Sequence, residues 1–313
     1  MARNDTQLNT RMPISLKEKI EQSAIDNSRS VNAETIFRLE KSFEASQEGY
    51  VESLKALESF FNAHTRSERK TTVAKRLNYV LNQTQETRYG YRLSTEKVAF
   101  GIGQEYAEPV DMWFLARSEP SFSQLDLLAG YFGCYAEFLK FGDSEPYRAS
   151  EFHGFDSLNK AKEWLTKPYK FFNSEKPQFV HFLRHDSEVG ELVVIKQYKD
   201  WRCEVFHTNV HLSGCVGEGG ARSQAMFAVL CETVYKDSSR QFPSIFSYTI
   251  DSEYYSQLMS GKFQPMVILE RLHQSPWWED LWDKSQYLKQ SYWQDFTGLA
   301  MRIDDWRSSH TVD

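Results

Sequence analysis

Residues 7–13 read Gln-Leu-Asn-Thr-Arg-Met-Pro. In an extended segment side chains alternate with period two, so Gln7, Asn9 and Arg11 share one face while Leu8, Thr10 and Met12 share the other. A Gln or Asn side chain can bond an adenine edge twice and an Arg can do the same for guanine, so the polar face holds a major-groove vocabulary. Pro13 ends the strand, because it lacks an N–H and has a preset φ that suits the first turn of a helix. The next stretch, residues 14–27, is rich in helix formers such as Leu16, Lys17, Glu18 and Lys19. A polar hinge, Asp26-Asn27-Ser28-Arg29-Ser30, follows, with Ser30 placed to cap a second helix that begins at Val31. Ile36, Leu39 and Phe43 recur at helical spacing and predict a buried stripe on it. One strand and two helices in about 45 residues enclose too little core to stand alone, so a dimer is expected.

The order strand, helix, hinge, helix over residues 5–45 resembles the ribbon-helix-helix family, specifically its Arc-like branch. The resemblance implies an intertwined dimer whose paired strands form an antiparallel ribbon in the major groove of double-stranded DNA. It assigns base contacts to Gln7, Asn9 and Arg11, and phosphate contacts to Ser30, Val31 and Asn32 at a helix N-terminus. It also places Arg29, Glu34 and Arg38 in a structural, non-catalytic ion triad. Thr10 and Thr35 stand where the family more often has larger apolar residues. Residues 1–44 hold seven Lys or Arg against seven Asp or Glu, so base contacts and local placement, not a broad basic field, have to carry recognition.

The whole chain has 313 residues and a net charge of −6, which suits two or three domains and excludes a generally basic coat for nucleic acid. No apolar run approaches the ~20 residues that span a bilayer, so no membrane partner is expected. The start, Met-Ala-Arg-Asn-Asp, lacks the apolar stretch of a signal peptide, and a cytoplasmic location is expected. The four scattered cysteines, Cys134, Cys203, Cys215 and Cys231, fit reduced thiols in that compartment. The domains are therefore expected as an Arc-like unit over 1–46, a helical linker over 47–70, a helical region over 71–148 and an α+β domain over 149–313.

Within 44–63 the residues Tyr50, Val51, Leu54, Leu57, Phe60 and Phe61 follow helical spacing, which predicts a helix packed on neighbours or on the dimer mate. Residues 73–148 resemble a divergent lambda-repressor-type helix-turn-helix, with helices over 73–83, 94–103 and 108–117. The segment Pro120-Ser121-Phe122 then leads into a Leu125, Leu128, Ala129, Phe132, Gly133 run. Its presumed recognition segment carries Glu105, Glu108, Pro109 and Asp111, the wrong charge for phosphate, so a packing or partner-binding role is at least as well supported as DNA reading.

Beyond residue 150, strands are predicted over 178–184, 191–197, 201–210, 244–250 and 266–272, with helices over 157–166, 222–235 and 252–261. The glycine-rich loop over 214–220 lacks the ending of a P-loop and reads as a strand-to-helix turn. Cys203, His207, His211 and Cys215 recur every four residues, and His181 and His185 repeat the step. On a straight strand that step spans ~13 Å, too far for one zinc, and only a turn near Asn209 would bring the donors together, so no metal and no cofactor are expected. The aromatics Trp277, Trp278, Trp282, Tyr287, Tyr292, Trp293, Phe296 and Trp306 read first as core and second as a pocket or interface. No nucleophile–base pair can be placed from spacing, and no enzyme is expected. The functional expectation is a dimeric or higher-order transcriptional regulator, a repressor, with a ligand or protein partner at 149–313. The alternative is an antitoxin or phage-type interaction protein whose DNA binding is autoregulatory.

Overall fold

The computed structural model describes residues 11–65, 68–169 and 175–310. The chain divides into two units, Met1–Arg66 and Ser67–Asp313.

In the first unit α1 (Ile14–Asp26) and α2 (Val31–Thr65) form a helical hairpin. Pro13 is the N-cap of α1 in extended conformation, and its carbonyl accepts from the N–H groups of Leu16 and Lys17. The hinge turns through Ser28, whose φ of 53° lies in the left-handed region, while the Arg29 N–H closes back on the Ala24 carbonyl. Ser30 caps α2 as its side chain suggests: Oγ accepts from the Ala33 N–H at 3.2 Å. The predicted strand falls on residues 7–10, outside the described residues, and on 11–13, which carry no regular structure. α2 runs without a break across residues 46 and 47.

Glu34 ties the hairpin together. Its carboxylate accepts from Ser23 Oγ at 2.9 Å, Asn27 Nδ2 at 3.1 Å and Arg38 Nε at 3.0 Å, with Arg29 Nη1 at 3.4 Å. Arg38 also bonds Ser23 Oγ, and the Arg29 guanidinium lies 4.1 Å over the Phe37 ring. Arg29 and Arg38 each lie within ion-pair distance of Glu34, and only the carboxylate is buried: Glu34 is 1% exposed, Arg29 40% and Arg38 58%. The predicted stripe departs further, because Ile36, Leu39 and Phe43 are all exposed. Val51 and Leu54 of the expected second stripe are exposed as well. Among described residues 11–44 only Ala24 and Glu34 are buried. Among the described residues nothing beyond the two helices covers this apolar face.

The second unit begins with five helices: α3 (Glu68–Gln85), α4 (Thr95–Gly101), α5 (Glu108–Phe114), α6 (Phe122–Phe132) and α7 (Ala136–Lys140). α6 is delimited by local chemistry. Ser121 and Gln124 form a reciprocal capping box, and Gly133 stops the helix with a φ of 69°. A Cβ at Gly133 would come within 3.1 Å of the Arg202 backbone, so this turn also needs glycine for a close approach.

The sheet follows: β1 (Ser150–Phe152), then α8 (Leu158–Thr166), β2 (Phe179–His185), β3 (Glu191–Lys199), β4 (Arg202–His211), α9 (Glu218–Tyr235) and β5 (Ser244–Ile250). The chain closes with α10 (Ser252–Met259), α11 (Pro265–Leu269), α12 (Trp277–Asp280), α13 (Lys284–Tyr287) and α14 (Phe296–Ser309). The strand order is β1-β4-β3-β2-β5. β2, β3 and β4 are antiparallel neighbours, whereas β1 pairs β4 and β5 pairs β2 in parallel. Residues 266–272, expected as a strand, instead give α11: Pro265 occupies the first turn and the Gln264 side chain accepts from the Met266 N–H at 2.7 Å. A five-residue apolar run has no periodicity to separate the two outcomes.

β3 is buried on both faces. Leu192 and Val194 pack with Ala161 and Leu165 of α8, Phe227 and Leu230 of α9, and Leu299 and Ile303 of α14. Val193 and Ile195 pack with Leu77, Val98, Leu125 and Leu128 from the helices before the sheet, joined by Leu258 and Ile268. Helices before residue 141 and strands after 178 therefore share one core. Each fully buried Val or Leu contributes about 1.5–3 kcal/mol, so covering both faces of the central strand is a large part of this unit's stability.

The Glu34 network makes a pH prediction. Burial alone would raise the carboxyl's pKa, but the hydrogen bonds from Ser23, Arg38 and Asn27 and the charge of Arg38 outweigh it and hold the value below 4.5. The carboxylate is covered by its own partners in a thin two-helix layer, which is why these bonds prevail. A depressed folded pKa contributes stability above the unfolded value, and that contribution fades as pH falls through the folded value. Hydrogen exchange over residues 23–38 in the full chain should show Glu34→Gln less protected than wild type at pH 7, the gap closing below pH 4.5. A gap independent of pH would contradict the assignment.

Candidate nucleic-acid interface

Of the three expected base-reading side chains, Arg11 is described and the other two, Gln7 and Asn9, lie outside the described residues. Arg11 is exposed, two residues before the Pro13 cap that starts α1. Arg29 and Arg38 are engaged with Glu34, and Lys17 pairs with Glu21 at 3.5 Å.

The start of α2 supplies a second set of donors. Ser30, Val31 and Asn32 are exposed, and the N–H groups of the first turn have no intrahelical acceptor. Of those, Ala33 is satisfied by Ser30 Oγ and Glu34 by the Ser30 carbonyl, leaving Val31 and Asn32 directed to solvent. Aligned peptide dipoles make such an end favourable for a phosphate. The Glu34 network lies one turn further on and ties the hinge to α2 through Asn27 and Arg29.

In the second unit the helix-turn-helix-like stretch offers no comparable surface. α5 is only seven residues long, with Pro109 in its first turn, and Val110, Trp113 and Phe114 are buried. Its exposed start carries Glu105 and Glu108, with Asp111 half-buried. The terminal aromatics are mostly core: Trp277 packs against Phe182, Phe227 and Trp293, and Tyr287 and Phe296 are buried beside them. The glycine-rich loop ends in Gly217, the N-cap of α9, with Gly219 and Gly220 already inside the helix. No helix among the described residues is long and apolar enough to cross a membrane.

The cysteine and histidine series is spread along β4 and its neighbours. Cys203 is buried in the core, His207 Nδ1 sits 3.3 Å from Glu151, His211 is opposite Glu191 in the ladder, and Cys215 is exposed. His181 is enclosed between Tyr248 Oη and Gln197 Oε1, and burial holds its pKa down at about 4, so the ring is neutral. Among the described residues no group of three or more His, Cys, Asp or Glu is placed to hold a metal ion. Cys134, Cys203 and Cys231 are all buried, which pushes their thiols up in pKa.

Sequence reasoning did not find a cavity of about 380 Å³ between α6, α7 and β4. Gly133, Tyr135, Arg148, Tyr169, Glu204 and Pro265 line it, and the Arg148 guanidinium lies 4.4 Å over the Tyr135 ring. Its walls come from segments more than 100 residues apart, which no local pattern connects. The volume is within the ~300–1,000 Å³ typical of small-molecule sites.

No curated protein and no solved structure matches the chain. Residues 2–53, which hold the Gln7, Asn9 and Arg11 positions, the hinge, the Glu34 network and the first part of α2, match the Arc-like DNA binding domain family.

Proposed function

We propose that the chain is a dimeric, sequence-specific DNA-binding transcriptional regulator acting as a repressor in the cytoplasm. Gln7, Asn9 and Arg11 of two chains read base edges from a paired β-ribbon in the major groove, and Ser30, Val31 and Asn32 clamp a phosphate. The observation that carries the reading is the match of residues 2–53 to the Arc-like DNA binding domain. The dimer is supported independently by the two-helix hairpin, which buries only Ala24 and Glu34 among residues 11–44 and leaves Ile36, Leu39 and Phe43 bare. A second copy covers such a face at the least cost, because identical faces under two-fold symmetry are self-complementary. The second unit then serves as sensor or partner-binding domain, for which the cavity beside α6 and α7 is the natural ligand site. Non-enzymatic action suffices for this reading.

Two measurements test it. Selection of bound duplexes from a random pool should return paired half-sites, and Asn9→Ala or Arg11→Ala should then weaken binding by about 1–3 kcal/mol and relax base preference. Equal affinity of wild type and both variants for the selected duplex would reject the ribbon assignment. Ile36→Glu should convert the chain to monomer in sedimentation at micromolar concentration and abolish specific binding, with the core of the second unit still folded. A variant that stays dimeric and binds would show that this stripe is not the dimer interface.

A further inference from the structure

We infer that the second unit carries a serine hydrolase centre, Ser252–His185–Glu191, that cleaves small carboxylic esters. The three residues come from separate elements that the sheet brings to one end. His185 is the last residue of β2, Glu191 the first of β3, and Ser252 the first of α10, directly after β5 and its cap Asp251. β2 and β5 are parallel neighbours, so His185 and Ser252 stand at the carboxyl ends of adjacent parallel strands. Open α/β sheets place their ligands at such ends.

The hydrogen bonds run in the order that nucleophilic catalysis needs. Ser252 Oγ is 3.1 Å from His185 Nε2, and His185 Nδ1 is 3.0 Å from Glu191 Oε2. Burial would raise the Glu191 pKa, but hydrogen bonds from Ser187, from its own backbone and from His185 lower it, so the carboxylate is ionised at neutral pH and can only accept. The Nδ1 nitrogen beside that acceptor is the donor, and the tautomer with its proton there leaves the Nε2 lone pair facing the serine hydroxyl. The imidazole is fixed by a further contact, a parallel stack on Tyr255 at 3.9 Å.

The turn between β2 and β3 is braced at unusual expense. The Arg184 side chain, 5% exposed, donates to the carbonyls of Leu212, His185 and Ser187 and lies 4.4 Å over Trp293. A buried guanidinium spent on three carbonyls holds His185 and Glu191 in register, which is the positioning such a centre requires. Gly190 completes the turn with a φ of 64°, and a Cβ there would meet the Leu212 carbonyl oxygen at 2.6 Å.

Ser252 itself is exposed and accessible to substrate. The backbone N–H groups of Ser252 and Glu253 lie in the first turn of α10, where no intrahelical acceptor exists, and they can receive the oxyanion. In the reaction Oγ forms a bond to the ester carbonyl carbon as its proton passes to Nε2 and the carbonyl electron pair moves to oxygen. The pair returns, the bond to the leaving alkoxide breaks, and the imidazolium gives that alkoxide its proton. Water repeats the sequence on the acyl-serine, releasing the acid and restoring the hydroxyl. Asp251 and Glu253 flank the serine, so uncharged esters are favoured over anionic ones.

This centre is independent of DNA reading, and its test uses the full chain without DNA. A fluorophosphonate probe should label one serine, identified as Ser252 by peptide mass, and p-nitrophenyl acetate should be hydrolysed above the buffer rate. Ser252→Ala should remove both signals. His185→Gln should slow labelling by about 10²–10⁴-fold, with Glu191→Gln between it and wild type. Ser252 is exposed, so its alanine variant should keep the wild-type melting curve and decide the matter even if a His185 variant unfolds. Absence of labelling in the wild type, labelling at another serine, or equal hydrolysis by Ser252→Ala would overturn the proposal.

Discussion

An apolar face has to be covered, and the two units meet that constraint in opposite ways. β3 is apolar on both sides, so the second unit lays helices over each face and draws residues from Val73 to Ile303 into its two cores. Its place between β4 and β2 also pairs its backbone on both sides, where an edge position would leave one row of N–H and C=O groups without a partner. Among its described residues the first unit has two helices, and Ile36, Leu39 and Phe43 stay exposed. It is held as a hairpin by polar contacts to Glu34, which specify a geometry without supplying a core. Among its described residues the first unit thus buries little, whereas the second encloses two apolar cores of its own.

That division separates the parts of the sequence that could be read from those that could not. Ser30 as a cap, the hinge at Ser28 and the starts of the helices follow from residue types that act on their immediate neighbours. The strands at 179–185, 191–199, 202–211 and 244–250 were legible because β-branched and aromatic runs end at turn residues such as Gly190 and Asp200. β1 escaped because three residues at a sheet edge carry no pattern. The exposure of Ile36, Leu39 and Phe43 was also beyond a local reading, since helical spacing says that a stripe exists and not which chain covers it.

The candidate sites divide along the same line. The Gln7, Asn9 and Arg11 alternation is a pattern within five positions of the sequence, and the cap at Ser30 is equally local. The cavity beside Gly133 and Tyr169, and the Ser252, His185 and Glu191 chain of hydrogen bonds, are products of strand order. The histidine lies 67 residues before the serine, and only the parallel pairing of β2 with β5 brings them together. Spacing alone argued against a shared site for Cys203, His207, His211 and Cys215, because an extended strand keeps such residues apart.

The distribution of the thiols has a practical consequence. Three of the four cysteines are buried with raised pKa values, so at neutral pH they present almost no thiolate. Cys215 stands in the open on the loop before α9. The native chain therefore already contains a unique attachment point for a fluorophore or spin label. A reporter there would follow the second unit during DNA or ligand titrations with no engineered residue.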